Sequence, residues 1–272
     1  MKRIFLMFLT IISCIVGHSQ RKAGYKFDKD LILYLPLNGN LTDESNLQNT
    51  CFSLGVQPEK DKNDNINGAL SFEDNASISV DNVENFNELA SFTLSSWVYL
   101  NEYAQHNNII SKVNPGRDFN LQITADGTVD FHTYYNGYIH FLSSYKVRLN
   151  RWTHIAFTFD GIFFKIYING KLDRLAKMVI DPEIAHIKLP VKILWTGRNL
   201  TIGNLDANAG ENFRGRLDEI RIYKKALTVN DIALLYNEKA KKQGAIYPLE
   251  YTDRSSLEPL FKSVIIDDGG IK

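Results

Sequence analysis

Short runs of alternating apolar and polar residues fill the chain from Leu31 to Tyr223. The clearest pair is Trp152–Phe159 (WTHIAFTF) and Phe163–Ile168 (FFKIYI), joined by Asp160–Gly161, which tolerates the positive φ of a tight hairpin turn. Such runs recur at intervals of roughly 8–15 residues, a spacing typical of sandwiches rather than of alternating strands and helices. The pattern therefore predicts an all-β fold, an antiparallel β-sandwich of the jelly-roll type.

One short helix is predicted directly after the last strand. Thr228 suits the N-cap position, and Asp231 follows three residues later, as in a capping box. Ile232, Leu235 and Tyr236 then recur at helical spacing, so one face of this helix is apolar. We expect that face to pack on the sandwich.

The N-terminal residues have the pattern of a secretory signal peptide. Lys2 and Arg3 precede the apolar run Ile4–Val16, which is too short for a stable membrane span. Cleavage after Ser19 is the first interpretation. The alternative is lipoprotein processing with a lipid anchor on Cys14. Both predict export to the cell surface, the periplasm or the extracellular space.

The chain accordingly divides into four predicted segments. These are a signal peptide (1–19), a lead-in (20–30), the jelly-roll domain (31–243) and a polar C-terminal extension or linker (244–272). About 250 residues are ample for a single β-sandwich core. Apart from the leader, no segment is apolar enough to span a bilayer.

Charge and cysteine content narrow the function classes. The chain has 31 basic and 31 acidic residues and no basic stripe, which argues against nucleic acid as a partner. Only two cysteines are present, Cys14 and Cys51, so removal of the leader leaves no intramolecular disulfide. The fold must depend on its own core, or on a bound metal.

Five motifs, in order, resemble laminin-G-like jelly-roll domains of the concanavalin A-like lectin and glucanase superfamily. They lie in Leu33–Asn46 (LYLPLNGNLTDESN), Phe92–Val98 (FTLSSWV), Trp152–Gly161 (WTHIAFTFDG), Tyr167–Gly170 (YING) and Ile202–Leu227, which contains LDEIRIY. The resemblance implies the jelly-roll fold over residues 31–236. It implies much less about function, because one fold hosts many activities.

Asp218 and Glu219 are the first candidates for chemistry. Neighbouring residues of a strand point to opposite faces, so the two carboxylates cannot flank one glycosidic bond unless a bulge intervenes. The Glu-x-Asp-x-x-Glu spacing of the superfamily's glucanases is absent. We therefore predict a protein that is not an enzyme. A glycosidase or lyase stays possible if Met178–Trp195, expected to be a long loop, brings Asp181 or Glu183 over the concave face.

Other catalytic and zinc patterns are missing. The sequence has no G-x-S-x-G, no paired cysteines and no His-x-x-x-His. His154 lies in a strand in which the resembling family keeps the same residues for packing, so we expect a structural histidine bonded to a carbonyl group.

A structural calcium ion is implied by the resemblance, at the edge where the first loop meets the last strand. Calcium takes six to eight oxygen ligands, and Asn38–Asn46 is dense in them. The implied ligands are Asn38, Asp43, Asn46 and Asp218. The alternative is that Asp43 forms an Asx-turn and Asp218 accepts backbone N–H groups. Glu219 is expected to pair with Arg221 or Arg216.

An aromatic hairpin is the candidate ligand platform. Sugars present apolar C–H faces rimmed by hydroxyls, so their sites combine flat rings with amides, and three tyrosines flank an Asn136–Gly137 turn. The predicted ligand-binding residues are Tyr134, Tyr135, Asn136, Tyr138, Trp195 and Arg198. The alternative is a structural hairpin with cross-strand aromatic pairs.

The sequence as a whole predicts an exported, non-catalytic binding module. Its expected ligand is a polysaccharide or other glycan, with Ca²⁺ as a structural cofactor. The alternative is a protein-interaction or adhesion module that binds an extracellular protein, with contacts on the sandwich edges.

Overall fold

The computed structural model describes most of the region between Tyr25 and Asn237, together with one later strand. The described residues are 25–26, 28–81, 83–87, 89–112, 119–134, 138–180, 200–205, 211–237 and 261–266. The predicted signal peptide and most of the predicted C-terminal extension lie outside them. No helix in these ranges is both long and apolar enough to cross a membrane.

The described residues form sixteen strands and one α-helix, in addition to two short 3-10 turns. The strands are β1 (Leu31–Leu35), β2 (Cys51–Leu54), β3 (Gln57–Glu59), β4 (Ala69–Phe72), β5 (Ser77–Val80), β6 (Phe92–Leu100), β7 (His106–Lys112), β8 (Phe119–Thr124), β9 (Thr128–Tyr134), β10 (Tyr138–Lys146), β11 (Trp152–Phe159), β12 (Phe163–Ile168), β13 (Lys171–Ile180), β14 (Leu200–Ile202), β15 (Gly215–Tyr223) and β16 (Phe261–Ile266). The helix α1 is Val229–Tyr236.

The strands form two sheets. One has nine strands in the order β16-β13-β12-β11-β6-β15-β4-β3, with β1 also paired to β15. The other has seven, in the order β10-β9-β8-β7-β14-β5-β2. All pairs are antiparallel except β13 with β16. The predicted all-β jelly-roll class is confirmed.

The core lies between the sheets and is rich in aromatic rings. Phe131 on β9 stacks on Phe157 of β11 with ring centroids 3.7 Å apart, so residues of opposite sheets meet in one layer. Phe92 and Phe164 pack around this pair. Each fully buried phenylalanine contributes about 1.5–3 kcal/mol by removal of apolar surface from water. Side chains that alternate with these rings point away from the core, and they form the outer faces of the two sheets.

Tight hairpin turns precede and follow β12. Asn169 and Gly170 both have positive φ, 50° and 76°, as a tight hairpin between β12 and β13 requires. A Cβ atom on Gly170 would come within 2.9 Å of Tyr236, so glycine also lets the helix approach the turn. At the preceding hairpin, the Asp160 carboxylate accepts hydrogen bonds from the backbone N–H groups of Ile162 and Phe163.

Helix α1 begins with the predicted capping box. The Thr228 side chain accepts a hydrogen bond from the Asp231 backbone N–H, and the Asp231 carboxylate accepts one from the Thr228 N–H. Ile232, Ala233 and Leu235 are buried. Ile232 and Leu235 belong to a second, smaller core on the outer face of the nine-stranded sheet, together with Ala156, Tyr167, Tyr223 and Leu227.

Two segments differ from the sequence prediction. The expected loop Met178–Trp195 begins in a strand, because Met178–Ile180 complete β13, and the rest lies outside the described residues. Within the predicted C-terminal extension, Phe261–Ile266 forms β16, which adds to the sheet beside β13 in parallel. A strand added in parallel requires a distant partner, so local turn signals do not reveal it.

Candidate functional site

A β-bulge brings Asp218 and Glu219 to the same face of β15. The register with β6 shifts between Asp218 and Arg221, and Glu219 has φ 56°. Leu217 and Ile220, three residues apart, both belong to the central core. The two carboxylates between them therefore point to the outer face of the nine-stranded sheet, which regular alternation would not allow.

The carboxylate of Asp218 is buried and has a basic partner. Lys62 Nζ lies 2.8 Å from its Oδ2 atom and sits over the ring of Trp97 at 5.1 Å from the centroid. In the part of the chain that the structure describes, the Oδ1 atom has no hydrogen bond partner. Burial raises the pKa of the Asp218 carboxyl to about 7, and the Glu219 charge adds to this rise against the attraction of Lys62.

Glu219 is held by its expected arginine and by a tyrosine. Arg221 Nη2 lies 2.5 Å from Glu219 Oε2, which confirms one of the two predicted pairs. The same oxygen accepts a hydrogen bond of 2.8 Å from the Tyr34 hydroxyl, and the Arg221 guanidinium stacks over the Tyr34 ring at 4.1 Å. Both carboxylates of the pair are thus neutralised by basic side chains of the same outer face.

The predicted calcium ligands have protein partners of their own. Asp43 is buried, and its carboxylate accepts five hydrogen bonds of 2.7–2.9 Å, from the backbone N–H groups of Tyr34, Ser45 and Asn49 and from the side chains of the latter two. This arrangement agrees with the alternative prediction of an Asx-turn at Asp43, with further hydrogen bonds added to the turn. Asn38 and Asn46 are exposed.

A shared calcium ion would have to replace some of these partners. Asp43 and Asp218 have no hydrogen bond partner in common, and the cation next to Asp218 is Lys62. The donor set fits calcium only if the N–H donors on Asp43 or the Lys62 ammonium move aside. Calcium at this place stays a prediction.

His154 is a packing residue, as expected, but its partner is not a carbonyl group. Its Nε2 atom lies 3.0 Å from the Ser95 hydroxyl oxygen, and its ring packs against Trp97 and Tyr236. Burial lowers the pKa of the His154 imidazole to about 3, and the charges of Arg221 and Lys62 contribute to this shift. The imidazole is therefore neutral and enclosed, and it is not accessible to a ligand.

The outer face of the seven-stranded sheet carries a polar layer that the sequence analysis missed. The core side of its strands is apolar, with Leu121 and Phe131 at 0% exposure. The opposite side carries amide, imidazole and carboxylate groups: His106, Asn108, Asn120, Gln122, Asp130, His132 and His140. The signal was available as polar residues at alternate positions on consecutive strands, which a search for contiguous motifs does not find.

A chain of contacts runs across this polar layer over four strands. His106 Nδ1 lies 3.0 Å from Gln122 Oε1, and Gln122 Nε2 donates a 3.0 Å hydrogen bond to Asp130 Oδ2. The same carboxylate oxygen lies 3.0 Å from His140 Nδ1 and 3.6 Å from His132 Nδ1. The two imidazole rings are 5.2 Å apart. Burial by itself would raise the pKa of the Asp130 carboxyl, but the contacts with His132, His140 and Gln122 hold it well below its usual value.

One end of the polar layer opens into a cleft of about 170 Å³. Its lining residues are Ala104, Gln105, His106, Glu211, Asn212 and Arg214. Asn108 ties the cleft to the sheet, because its side chain donates a hydrogen bond to the Glu211 carbonyl oxygen. The other end, at His140, is half-exposed.

Two of the predicted ligand-binding residues, Tyr134 and Tyr138, lie in the hairpin strands next to this layer. Tyr134 pairs with Tyr138, and two residues further along, His132 pairs with His140. The other predicted ligand-binding residues, Tyr135, Asn136, Trp195 and Arg198, lie outside the described residues. The backbone positions of the two tyrosines therefore lie beside the polar layer.

A family model for the concanavalin A-like lectin/glucanases superfamily matches residues 72–233, more than half of the chain. The chain belongs to this superfamily. The match covers β5 to β15, and therefore the whole polar layer and the bulge at Asp218, together with most of α1. No sequence in a search of curated proteins matches the chain.

Solved structures similar to this superfamily member include several binding domains. The binding domain of Paraclostridial Mosquitocidal Protein 1 has a TM-score of 0.63 at 18% identity, over 79% of this chain and 53% of that one. The receptor binding domain of the botulinum neurotoxin C/D mosaic serotype has 0.59 at 18%, over 78% and 52%. The chain thus spans about half the length of these two domains.

A third similar structure is matched over nearly its whole length. It is domain 4 of AbnA, an extracellular arabinanase of family GH43 from Geobacillus stearothermophilus, in complex with arabinotriose. Its TM-score is 0.61 at 19% identity, over 76% of this chain and 98% of that domain. At these identities the likeness shows a common fold.

Proposed function

We propose that this superfamily member is an exported, non-catalytic module that binds a carbohydrate on the outer face of the seven-stranded sheet. The observation that carries the proposal is the chain of contacts from His106 through Gln122 and Asp130 to His140. Gln122 and Asp130 are buried within one rigid sheet, and the layer reaches solvent at the half-exposed His140.

The chemistry of this layer suits hydroxyl groups. A sugar hydroxyl both donates and accepts, and amide and imidazole groups offer the complementary atoms. Gln122 and Asp130 are buried and held by neighbours, so they support the half-exposed His140 rather than rearrange on binding. The predicted rings of Tyr134 and Tyr138 would provide the apolar surface, because their backbone positions adjoin the His132–His140 pair.

The comparisons support this choice of ligand class at the level of the fold. Domain 4 of the arabinanase was solved with arabinotriose, and the present chain aligns with 98% of that domain. Arabino-oligosaccharides are therefore the first ligands to test, followed by other neutral polysaccharides. Export, predicted from the N-terminal pattern, would bring the module to such substrates.

The test measures binding of the tag-free protein to arabinotriose and to a panel of soluble polysaccharides. Calorimetry and affinity electrophoresis detect the binding. We expect saturable binding to at least one carbohydrate. Tyr138→Ala should weaken it about tenfold, which corresponds to about 1.4 kcal/mol, because an aromatic contact contributes about 0.5–1.5 kcal/mol beyond the area that it buries. Phe52→Ala, at the far edge of the same sheet, is the matched aromatic control. Equal binding by both variants would contradict the proposed location.

Protein binding is the second candidate, and one observation favours it. β2 is an edge strand, and its side chains Phe52 and Leu54 are each 57% exposed. An exposed apolar edge of this kind offers backbone pairing and side-chain contacts to a partner. This function predicts no carbohydrate binding and a partner interaction that Phe52→Ala weakens and Tyr138→Ala does not, so the same two variants separate the candidates.

Catalysis is not part of the proposal. Asp218 and Glu219 share a face, but Lys62 and Arg221 bind them and Asp218 is 1% exposed. A glycosidase needs two carboxyl groups on either side of an accessible bond. We expect no release of reducing ends from any carbohydrate that binds, and a reducing-sugar assay on the same panel checks this.

A further inference from the structure

We propose that Asp130, His132 and His140 form a binding site for a divalent transition-metal ion of the Zn²⁺ class. Each residue offers one ligand atom, and these atoms all lie within 4.8 Å of one another. Asp130 Oδ2 is 3.0 Å from His140 Nδ1 and 3.6 Å from His132 Nδ1. Tetrahedral zinc with bonds of about 2.0–2.1 Å places its ligand atoms about 3.3 Å apart. The observed spacings lie on both sides of this value.

Strand pairing creates this cluster and makes it rigid. His132 on β9 and His140 on β10 are directly paired across the hairpin. Asp130 lies two residues before His132, so it is on the same face of β9. Three ligands from adjacent positions of two paired strands need little rearrangement to meet one ion, and this lowers the entropy cost of binding.

An unpaired buried oxygen points independently to a missing partner. Asp130 is 2% exposed, and among the described residues its Oδ1 atom has no hydrogen bond partner. Within the described ranges, the ion pairs of Asp130 are with His132 and His140, and none involves a lysine or arginine. A buried carboxylate oxygen without a partner costs about 1–3 kcal/mol or more. A bound cation would compensate for that cost.

The surroundings of the cluster resemble those of a metal site in two further respects. Gln122 donates a hydrogen bond to Asp130 Oδ2 and contacts His106 through its Oε1 atom, so the carboxylate is oriented by a fixed neighbour. The His140 side chain is 52% exposed, which gives an ion access from solvent. Three protein ligands leave a fourth position for water or an external ligand.

The donor set also specifies the class of ion. Two imidazoles and one carboxylate favour Zn²⁺, Cu²⁺ or Ni²⁺ over Ca²⁺ and Mg²⁺, which require mostly oxygen ligands. No zinc pattern is visible in the sequence, because the ligands come as Asp-x-His on one strand and a single histidine on the next. Only the hairpin register brings them together.

The test is a calorimetric titration of chelator-treated, tag-free protein with Zn²⁺ near neutral pH, repeated with Co²⁺ while its visible absorption is recorded. We expect one ion per chain, and no binding of Ca²⁺ at this site. His140→Ala and the double variant His132→Ala with His140→Ala should weaken Zn²⁺ binding at least about tenfold. Asp64→Asn, which removes an exposed carboxylate in the loop between β3 and β4, should bind Zn²⁺ as the wild type does.

Several results would overturn the proposal. One is the absence of stoichiometric Zn²⁺ binding up to about 0.1 mM, in which case the cluster is only a carboxylate–imidazole pair. Another is equal binding by the wild type and the double variant. His140→Gln distinguishes a loss of Zn²⁺ binding from a loss of folding, because it changes only a half-exposed side chain. Thermal unfolding of each metal-free variant verifies that it is folded. No carbohydrate is used, so this outcome is independent of the proposed function.

Discussion

Lys62 and Asp218 form a buried ion pair across the outer face of the nine-stranded sheet, with Nζ 2.8 Å from Oδ2. Lys62 lies in the loop between β3 and β4, and Asp218 at the start of the β15 bulge, 156 residues later. The two side chains are 15% and 2% exposed. The pair therefore connects a distant loop to the strand that carries the superfamily's LDE motif.

Lys62→Met should destabilise the protein by about 3 kcal/mol at pH 8, because it leaves the buried Asp218 carboxylate without its cation. The loss should be smaller at pH 5, where Asp218 takes up a proton, since burial already raises its pKa to about 7. Urea unfolding at the two pH values measures this. Lys171→Met, at an exposed lysine, is the control and should change little. Equal losses at both pH values would mean that Asp218 stays charged.

Asp43→Asn should destabilise the protein by about 2–4 kcal/mol. The Asp43 carboxylate accepts five hydrogen bonds, and an amide replaces one acceptor oxygen with a donor that opposes the N–H groups of Asn49 or Tyr34. Urea unfolding of the variant checks this value. Asp64→Asn, an exposed change in another loop, should be nearly neutral. A cost below that of one hydrogen bond would show that the first loop tolerates rearrangement.

The calcium prediction is tested by thermal unfolding after chelation and re-addition of Ca²⁺. Calcium at 100 times its Kd would add about 2.7 kcal/mol to the free energy of unfolding, and Asp218→Ala would abolish the gain. An unchanged Tm at millimolar calcium would mean that the N–H donors on Asp43 and the Lys62 ammonium take the place of the ion. This measurement does not depend on the Zn²⁺ titration, because the two sites have no residue in common.

His154 should make the protein less stable in acid. Its pKa falls from 6.5 to about 3 on folding, so the unfolded state binds the additional proton between these values. Stability is therefore lost as the pH falls below 6.5, by at most about 1.4 kcal/mol per pH unit. Urea unfolding of the wild type and of His154→Gln between pH 7 and about pH 4 isolates this term. Parallel pH profiles would indicate that the imidazole is accessible to protons in the folded state.

The spacing of apolar and turn residues predicts most of the strands, the hairpin turns and the capped helix, but not β16. Alternation over WTHIAFTF and FFKIYI, the left-handed Asn169–Gly170 turn and the Thr228–Asp231 box depend on residues close together in the chain. Their conformations follow from local sterics and hydrogen bonding, and burial of the apolar face then requires a second sheet. The Glu219–Arg221 pair could also be predicted, because its members are two residues apart.

Which polar residues meet depends on contacts between distant parts of the chain. The bulge at Glu219 overrides strand alternation and places both carboxylates on one face, where Lys62 from a distant loop neutralises Asp218. The Asp130–His132–His140 cluster depends on the register of a hairpin. Polar contacts of this kind form when whole sheets pack. They cannot be predicted from the sequence, because the charge or amide group of a side chain does not specify which residue will be its partner. The alternating apolar residues therefore determine the fold, whereas the positions of the candidate sites are set by strand register.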